Sequence, residues 1–375
     1  VAAAPAIAIE HADLGGLTLA LALKRAGLDG WQLQEAIAAH TPAPELLPIS
    51  PNGARVLHAL GLRGWLGQHA ERPATLEERT GGNGFQLSAL PLGEFSANRF
   101  GAPFYLVQSL ALRDALADAL GSTAAPGATT GHSHAPLRVC SRDPVADANA
   151  AVPDSTRIRA WLWQGQLPLA QVPDLLRANA LSLWVGPGRA LWLARDSVSG
   201  RLAFTALASR PANASASNSP APVLATTFGH WHRAIGELLH AAGDCPPRPW
   251  TAQPPPEHLA RDGAVLVGAA AHPMGPALLQ QTSATLEDAW VLSRFAEQHE
   301  GAPAQIAEQY QRYRLKRARL LVARSNAAIA GLLYARGGER LRARLTSTLT
   351  GRFLPELALG RLDWIYRYDC VRGFE

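Results

Sequence analysis

Residues Ala6 to Gly27 read AIAIEHADLGGLTLALALKRAG, and the fold follows from them. Alternating Ile and Ala before Glu10 suit a central parallel strand, and the apolar run Leu14 to Leu23 suits a helix packed on its sheet. A buried strand, a short turn and a buried helix make the first unit of a dinucleotide-binding α/β fold. Its turn normally carries GxGxxG: one glycine for the tight turn, one for approach of a pyrophosphate, one for packing of helix on strand. Those places fall on His11, Asp13 and Gly16, so the packing glycine alone is present. At position 13 a β-carbon stands where a phosphate would meet bare backbone, and its carboxylate puts negative charge at a helix end that attracts anions.

Working outward, Gly27 ends the helix and GLDGWQLQEA supplies a second strand. A ribose-binding acid belongs at the end of that strand. Gln34 holds the place, still able to accept a hydrogen bond, with Glu35 pointing to the opposite face. Further on, Glu45 to Leu62 reads ELLPISPNGARVLHALGL, residues 91–120 read PLGEFSANRFGAPFYLVQSLALRDALADAL, and Gly263 to Phe295 reads GAVLVGAAAHPMGPALLQQTSATLEDAWVLSRF.

These three segments, in this order, resemble the FAD-dependent aromatic hydroxylases, the group that includes 4-hydroxybenzoate and salicylate hydroxylase. In the first, Pro51, Asn52, Leu57, Leu60, Gly61 and Leu62 match PNxxxxLxxLGL, while Glu45, Leu46 and Leu47 stand where the family has glycines. In the second, Ser109 replaces the arginine of HRADLxxAL, and Arg113, four positions on, is not expected to substitute for it. In the third, Gly268, Ala270, Ala271, His272, Pro273, Pro276, Gln280, Glu287 and Asp288 agree with VLxGDAAHPxxPxxGQGxNxAxEDA. There Ala269 replaces the aspartate, Leu279 and Gln281 the two glycines, and Ser283 the asparagine. The ending LDWIYRYDCVRGFE is similar to the family's WLYGYD close, whereas the GADGxxSxxR motif is reduced to Ala146, Asp147, Ala148, Ser155 and Arg157.

The resemblance implies a Rossmann-like FAD-binding-type domain made of residues 1–72, 98–157 and 255–300, with an antiparallel-sheet substrate domain inserted at 73–97 and 158–254 and helices over 301–375. The tryptophan-bearing runs IRAWLWQGQLP, ALSLWVGPGRALWLARD and GRLAFTALA alternate as strands of a sheet with one face on a cavity. A short strand is expected near Leu137 to Cys140 in an Ala, Ser, Thr and Pro-rich segment. The arginines of the long C-terminal helix, at helical spacing, read as a solvated face.

Composition bounds the function. At 375 residues and 47% hydrophobic the chain can bury a sizeable core. A net charge of +5 rests on scattered arginines, with Lys24 and Lys316 the two lysines, which argues against a nucleic-acid partner. Three cysteines far apart make neither a disulfide framework nor a CxxC metal knot, so a reducing cytoplasm is expected. The first residues lack the basic region and long apolar core of a signal peptide and no apolar run is long enough to span a bilayer, so stable membrane insertion is not expected. The His132/His134 pair sits in a loop with no third ligand in sight and reads as structural, and His230/His232 read the same way because the family resemblance implies a similar GWHP pattern without metal at the start of a helix.

Family members take a hydride from NADH or NADPH onto FAD and hydroxylate an aromatic ring. At the family's FAD positions this chain has Gly16, Gln34, Ser109, Gly268, Ala269, Pro276, Gln280 and Gln281. Each charged contact removed costs about 1.5 to 3 kcal/mol, against about 12 kcal/mol for nanomolar binding. The sequence-based expectation is therefore a protein without cofactor, its FAD site lost. It would act on, or bind, a small aromatic or polyketide-like ligand, with His11, Asp13 and His272 as candidate acid-base residues. A working FAD-dependent aromatic monooxygenase is the alternative. A non-catalytic partner of an active monooxygenase or a carrier protein is the second.

Overall fold

The computed structural model describes residues 7–34, 46–121, 137–141, 158–178, 181–210, 222–299, 302–335, 337–338 and 355–374. Glu35, Glu45, His132, His134 and the segment holding Ala146, Asp147, Ala148, Ser155 and Arg157 lie outside them.

The opening unit forms as its sequence dictates. Strand β1 is Ile7–Ile9, fully buried, and helix α1 is Leu14–Arg25 with every residue from Gly15 to Leu23 buried. Gly16 has no alternative: a β-carbon there would lie 1.9 Å from the His11 carbonyl oxygen. Gly27 follows the helix in the left-handed conformation, φ 74°, which lets Leu28 N–H return to the Leu23 carbonyl.

Strand β2, Trp31–Leu33, pairs parallel with β1. The chain then forms β3 (Leu46–Ile49), α2 (Pro51–Ala59, Pro at its first position), α3 (Arg63–His69), β4 (Thr75–Thr80), β5 (Gln86–Pro91) and α4 (Glu94–Phe100). Strand β6 (Tyr105–Gln108), antiparallel to β3, runs directly into α5 (Ser109–Leu120). The short strand expected in the Ala- and Pro-rich segment is β7, Leu137–Cys140, and it sits centrally, parallel to β1.

Long antiparallel strands β8 (Arg159–Pro168), β9 (Leu181–Gly186), β10 (Arg189–Asp196) and β11 (Arg201–Ser209) follow, with the short helix α6 (Asp174–Arg177) between the first two. Helices α7 (Leu224–Thr227) and α8 (Arg233–Ala241) precede β12 (Arg248–Thr251), β13 (Ala260–Arg261) and β14 (Ala264–Leu266). The chain closes on α9 (Gln281–Gln298), α10 (Pro303–Tyr334) and two short helices, Pro355–Gly360 and Asp363–Tyr366.

Two large sheets result. One has order β13-β14-β7-β1-β2, parallel except for β13; the other has order β12-β8-β11-β10-β9-β4-β5, antiparallel except where β4 meets β9. This is the mixed architecture read from the motifs: a Rossmann-like sheet with a separate, mostly antiparallel one. The parallel sheet, α1, α2, α5 and α9 share one apolar core. A second core joins the long strands to α8 through Trp163, Trp184 and Phe228.

One expectation about the C-terminal helix is corrected. Arg314 is completely buried and Arg317 is 9% exposed, so this row of arginines is not a solvated face throughout. The reason is charge pairing: Arg314 meets Glu287 at 2.9 Å and Asp288 at 2.8 Å, and Arg317 meets Glu287 at 2.7 Å.

Candidate functional site

A cavity of about 380 Å³ opens between the two sheets, a volume within the range of small-molecule sites. One wall is the β1–α1 turn (Asp13, Leu14, Gly15) with the loop after β14 (Gly268, Ala269). Parallel α/β sheets bind ligands at this carboxyl end of their strands. The opposite wall is the face of the antiparallel sheet, with Trp192 and Trp250.

Of the positions singled out in the sequence, Asp13, Leu46, Leu47, Gly268, Ala269, Pro276, Leu279, Gln280 and Gln281 line this one cavity. Asp13 Oδ1 accepts the Gly16 amide at 3.0 Å and so caps α1, the ordinary work of an aspartate at a helix start. Gly268 takes the left-handed φ of 62°, and its amide donates to Asp288 Oδ2 at 2.9 Å. Leu279, where the family has glycine, also takes a left-handed φ of 52°, a conformation that costs a leucine about 1 to 2 kcal/mol. The loop thus keeps a glycine's path without the glycine.

The remaining candidates lie elsewhere. His272 is completely buried, and its Nε2 bonds Asp288 Oδ2 at 2.9 Å. His11 is half-buried beside the turn, its Nδ1 has no hydrogen-bond partner among the described residues, and it is absent from the cavity wall. Gly16 is spent on packing, Gln34 is exposed just past β2, and Ser109 begins α5. His11 and His272 are therefore not brought together in the cavity. His232 accepts the Ala234 amide at 3.2 Å at the start of α8, and among the described residues no group of three His, Cys, Asp or Glu could hold a metal ion.

Residues shared with the family motifs build a buried frame behind the cavity. Asn52 Nδ2 donates to Gln280 Oε1 at 3.0 Å and to Glu287 Oε1 at 2.7 Å, and Gln280 Nε2 donates to Ser50 Oγ at 2.8 Å. Glu287 and Asp288 sit in a low-dielectric interior. Burial pushes both carboxyls up, but Arg317 and Arg314 around Glu287, and His272 and Arg314 around Asp288, hold each below the usual carboxylate range. Tyr310, which donates to the Leu266 carbonyl, is pushed well up by burial and by Asp288. The network ties α9 to α2, α10 and the loop after β14.

Three features bear on whether a flavin dinucleotide fits. Ser141 Oγ and Gln281 Nε2, on residues of the cavity wall, are buried without a hydrogen-bond partner among the described residues. Helix α9 starts at the cavity, and its N-cap residue Gln280 makes no side-chain cap hydrogen bond, its side-chain amide being engaged with Asn52 and Ser50 instead. Arg113, not expected to substitute for the arginine at 109, lies one helical turn on and so on the same face. It reaches back to the β1–α1 turn, where Nη2 donates to the Ala12 carbonyl at 3.2 Å and Nε is buried without a hydrogen-bond partner among the described residues. A positive group thus stands at the turn although Ser109 is not one. Taken with the open volume, these residues fit the group.

Sequence reasoning missed Arg113's reach and the sheet residues Gln164 and Thr205. Period-two alternation along β8 and β11 was the available signal for the latter pair.

No family model matches the chain. It is 29% identical over 342 residues, 83% of each chain, to a 3-amino-4-hydroxybenzoate 2-monooxygenase of Streptomyces cremeus. A 3-amino-4-hydroxybenzoate 2-monooxygenase of Streptomyces platensis is 28% identical over 391 residues, covering 98% of this chain and 97% of the relative. Among solved structures, Klebsiella pneumoniae HpxO complexed with FAD and uric acid superposes with TM-score 0.74 at 21% identity, over 94% of this chain and 95% of that one. A salicylate hydroxylase substrate complex gives TM-score 0.71 at 16% identity, over 99% and 97%. These likenesses overturn the expectation of a cofactor-free protein: the relatives are monooxygenases, and HpxO holds FAD in this fold. The physical error lay in equating a side chain at a motif position with a filled site, because Leu279 and Gln281 stand in the cavity wall and the cavity between them and the turn is open.

Proposed function

From its kinship with the FAD-dependent aromatic hydroxylases, we propose that this chain binds FAD and works as an aromatic-ring monooxygenase. The observation that carries the reading is the cavity itself, walled by the dinucleotide-binding turn on one side and an aromatic-lined sheet on the other. Names of the relatives add the chemistry, since they hydroxylate an amino-hydroxybenzoate ring.

When bound, FAD supplies electron uptake from a nicotinamide and activation of dioxygen. The α1 N-terminus at Leu14 and Gly15 and the bare backbone of Gly268 would receive the dinucleotide, with Arg113 beside the turn offsetting the charge of Asp13. Uncapped amides at the start of α9, with Gln281 and Thr282, would face the ring system. Apolar walls at Leu46, Leu47, Trp192 and Trp250 exclude water from the reacting centre. The buried ion frame holds the loop after β14 in place through Asp288.

Protein purified with excess FAD and freed of unbound ligand should show a flavin absorption band and oxidise NADH or NADPH faster when an aminophenolic ring compound is added. Absence of any flavin band at saturating FAD would refute the proposal.

A further inference from the structure

We infer that Gln164 and Thr205 set substrate specificity, and that they select an uncharged aromatic ring bearing an accepting oxygen over an aromatic carboxylate. The inference deepens the reading above and rests on it. Trp192 of β10 pairs with Thr205 of β11, and Thr205 pairs with Gln164 of β8, so the three form one row across the sheet. Two residues away on the same face, Ala194 pairs with Ala203, and on the other side lies Leu162. All six residues line the cavity, so this row puts two hydrogen-bonding side chains into an otherwise apolar face.

Gln164 is oriented as well as placed. Arg248 Nη2 donates to its Oε1, which commits that oxygen and leaves the Nε2 amide as its donating end. A donor amide beside a hydroxyl suits a carbonyl or phenolic oxygen. Charge decides against a carboxylate: among the described residues lining the cavity, Asp13 alone carries a formal charge, and it is negative. Arg248, on the exposed edge strand β12, does not line the cavity and commits its Nη2 to Gln164 Oε1. A carboxylate seated in this cavity would give up hydration with no cation in the cavity wall to replace it. The Streptomyces relatives are named for a benzoate, and a preference for an uncharged ring would set this chain apart from them on a shared fold.

The test compares 3-amino-4-hydroxybenzamide with 3-amino-4-hydroxybenzoate as probes of the FAD-loaded protein, reading Kd from perturbation of flavin absorption and from tryptophan quenching. The amide should bind about tenfold more tightly or better, and Thr205→Val and Gln164→Ala should each weaken it about tenfold, the loss of one hydrogen bond. FAD affinity should not change in either variant, and Gln164→Arg should invert the preference. Thr205→Val, which conserves shape, keeps the test open if Gln164→Ala does not fold. Equal or tighter binding of the benzoate to the unaltered chain, binding of neither probe, or variants that bind the amide as before would each overturn the inference. Should the protein retain no FAD, the monooxygenase reading fails by itself. Tryptophan quenching by the two probes in flavin-free protein then decides the substrate class separately, amide preference supporting it and its absence refuting it.

Discussion

At the scale of single residues, Asp13 shows how a correct identity can mislead. Its carboxylate was read as repelling a phosphate, but in the folded chain it is engaged with the Gly16 amide as a helix cap. Asp13→Ala should therefore cost about 1 kcal/mol in urea unfolding, whereas Asp13→Ser, which keeps a capping oxygen, should cost little. Because the serine also removes a negative charge from the end of the cavity proposed to receive the dinucleotide, it should tighten FAD binding severalfold in a fluorescence titration. His58 gives a second measurable effect. Burial, then Arg63, Arg72 and Arg55, push its imidazole down from the ordinary value to about 4, and its Nε2 lies 3.1 Å from Tyr105 Oη. An unfolded histidine takes up its proton near pH 6.5 and the folded one near 4. Stability from this group is thus fully present above about pH 6.5 and is lost progressively as pH falls toward 4. His58→Gln should flatten the loss of stability between pH 7 and 5 measured by urea unfolding; an unchanged slope would show that His58 does not carry it. Neither the cap nor the buried ring was legible in sequence, since both depend on what the rest of the chain packs around them.

Elements were more legible than the contacts between them. Strand β1, helix α1, the proline-led α2 and the alternating strands β8 to β11 each carry their own periodicity, so local pattern was enough. The arginines of α10 were misjudged because helical periodicity treats any charged residue as solvent-facing. Their acceptors, Glu287 and Asp288, come from α9, 27 and 26 residues before Arg314. What the motif match signified was also visible in part: Asn52, Gln280, Glu287, Asp288 and His272, all shared with the hydroxylases, hold one another and so preserve a frame. Arg314 is the cation shared by Glu287 and Asp288, and removing it leaves buried carboxylate charge under-compensated, so Arg314→Met should cost about 3 to 5 kcal/mol in unfolding. Thermal melts should show the loss without FAD present, because the network acts on the scaffold. His272→Ala tests the histidine in the same way: it should lower the melting temperature, and an activity loss at full stability would instead return His272 to the reacting groups.

Across the whole molecule, the cavity belongs to neither sheet alone, since its walls come from the β1–α1 turn, the loop after β14 and the strands that carry Trp192 and Thr205. Sequence pattern gave each wall but not the space between them, because the separation of two sheets is set by packing over many residues and by no motif. A ligand that contacts both walls stabilises both sheets at once, which makes the consequence thermodynamic. FAD binding only the folded chain adds RT ln(1 + [FAD]/Kd), about 2.7 kcal/mol at one hundred times Kd. The melting temperature should accordingly climb with the logarithm of FAD concentration. Tryptophan fluorescence, which reports packing around ten tryptophans including Trp192 and Trp250 of the cavity wall, and far-ultraviolet circular dichroism, which reports all elements, should move together. Riboflavin, lacking the dinucleotide that the α1 turn would receive, should give a smaller shift at equal concentration. Equal shifts for the two would locate binding on the sheet side of the cavity alone and would remove the α1 turn and Arg113 from the site. A transition indifferent to both flavins would mean that the two walls enclose some other ligand.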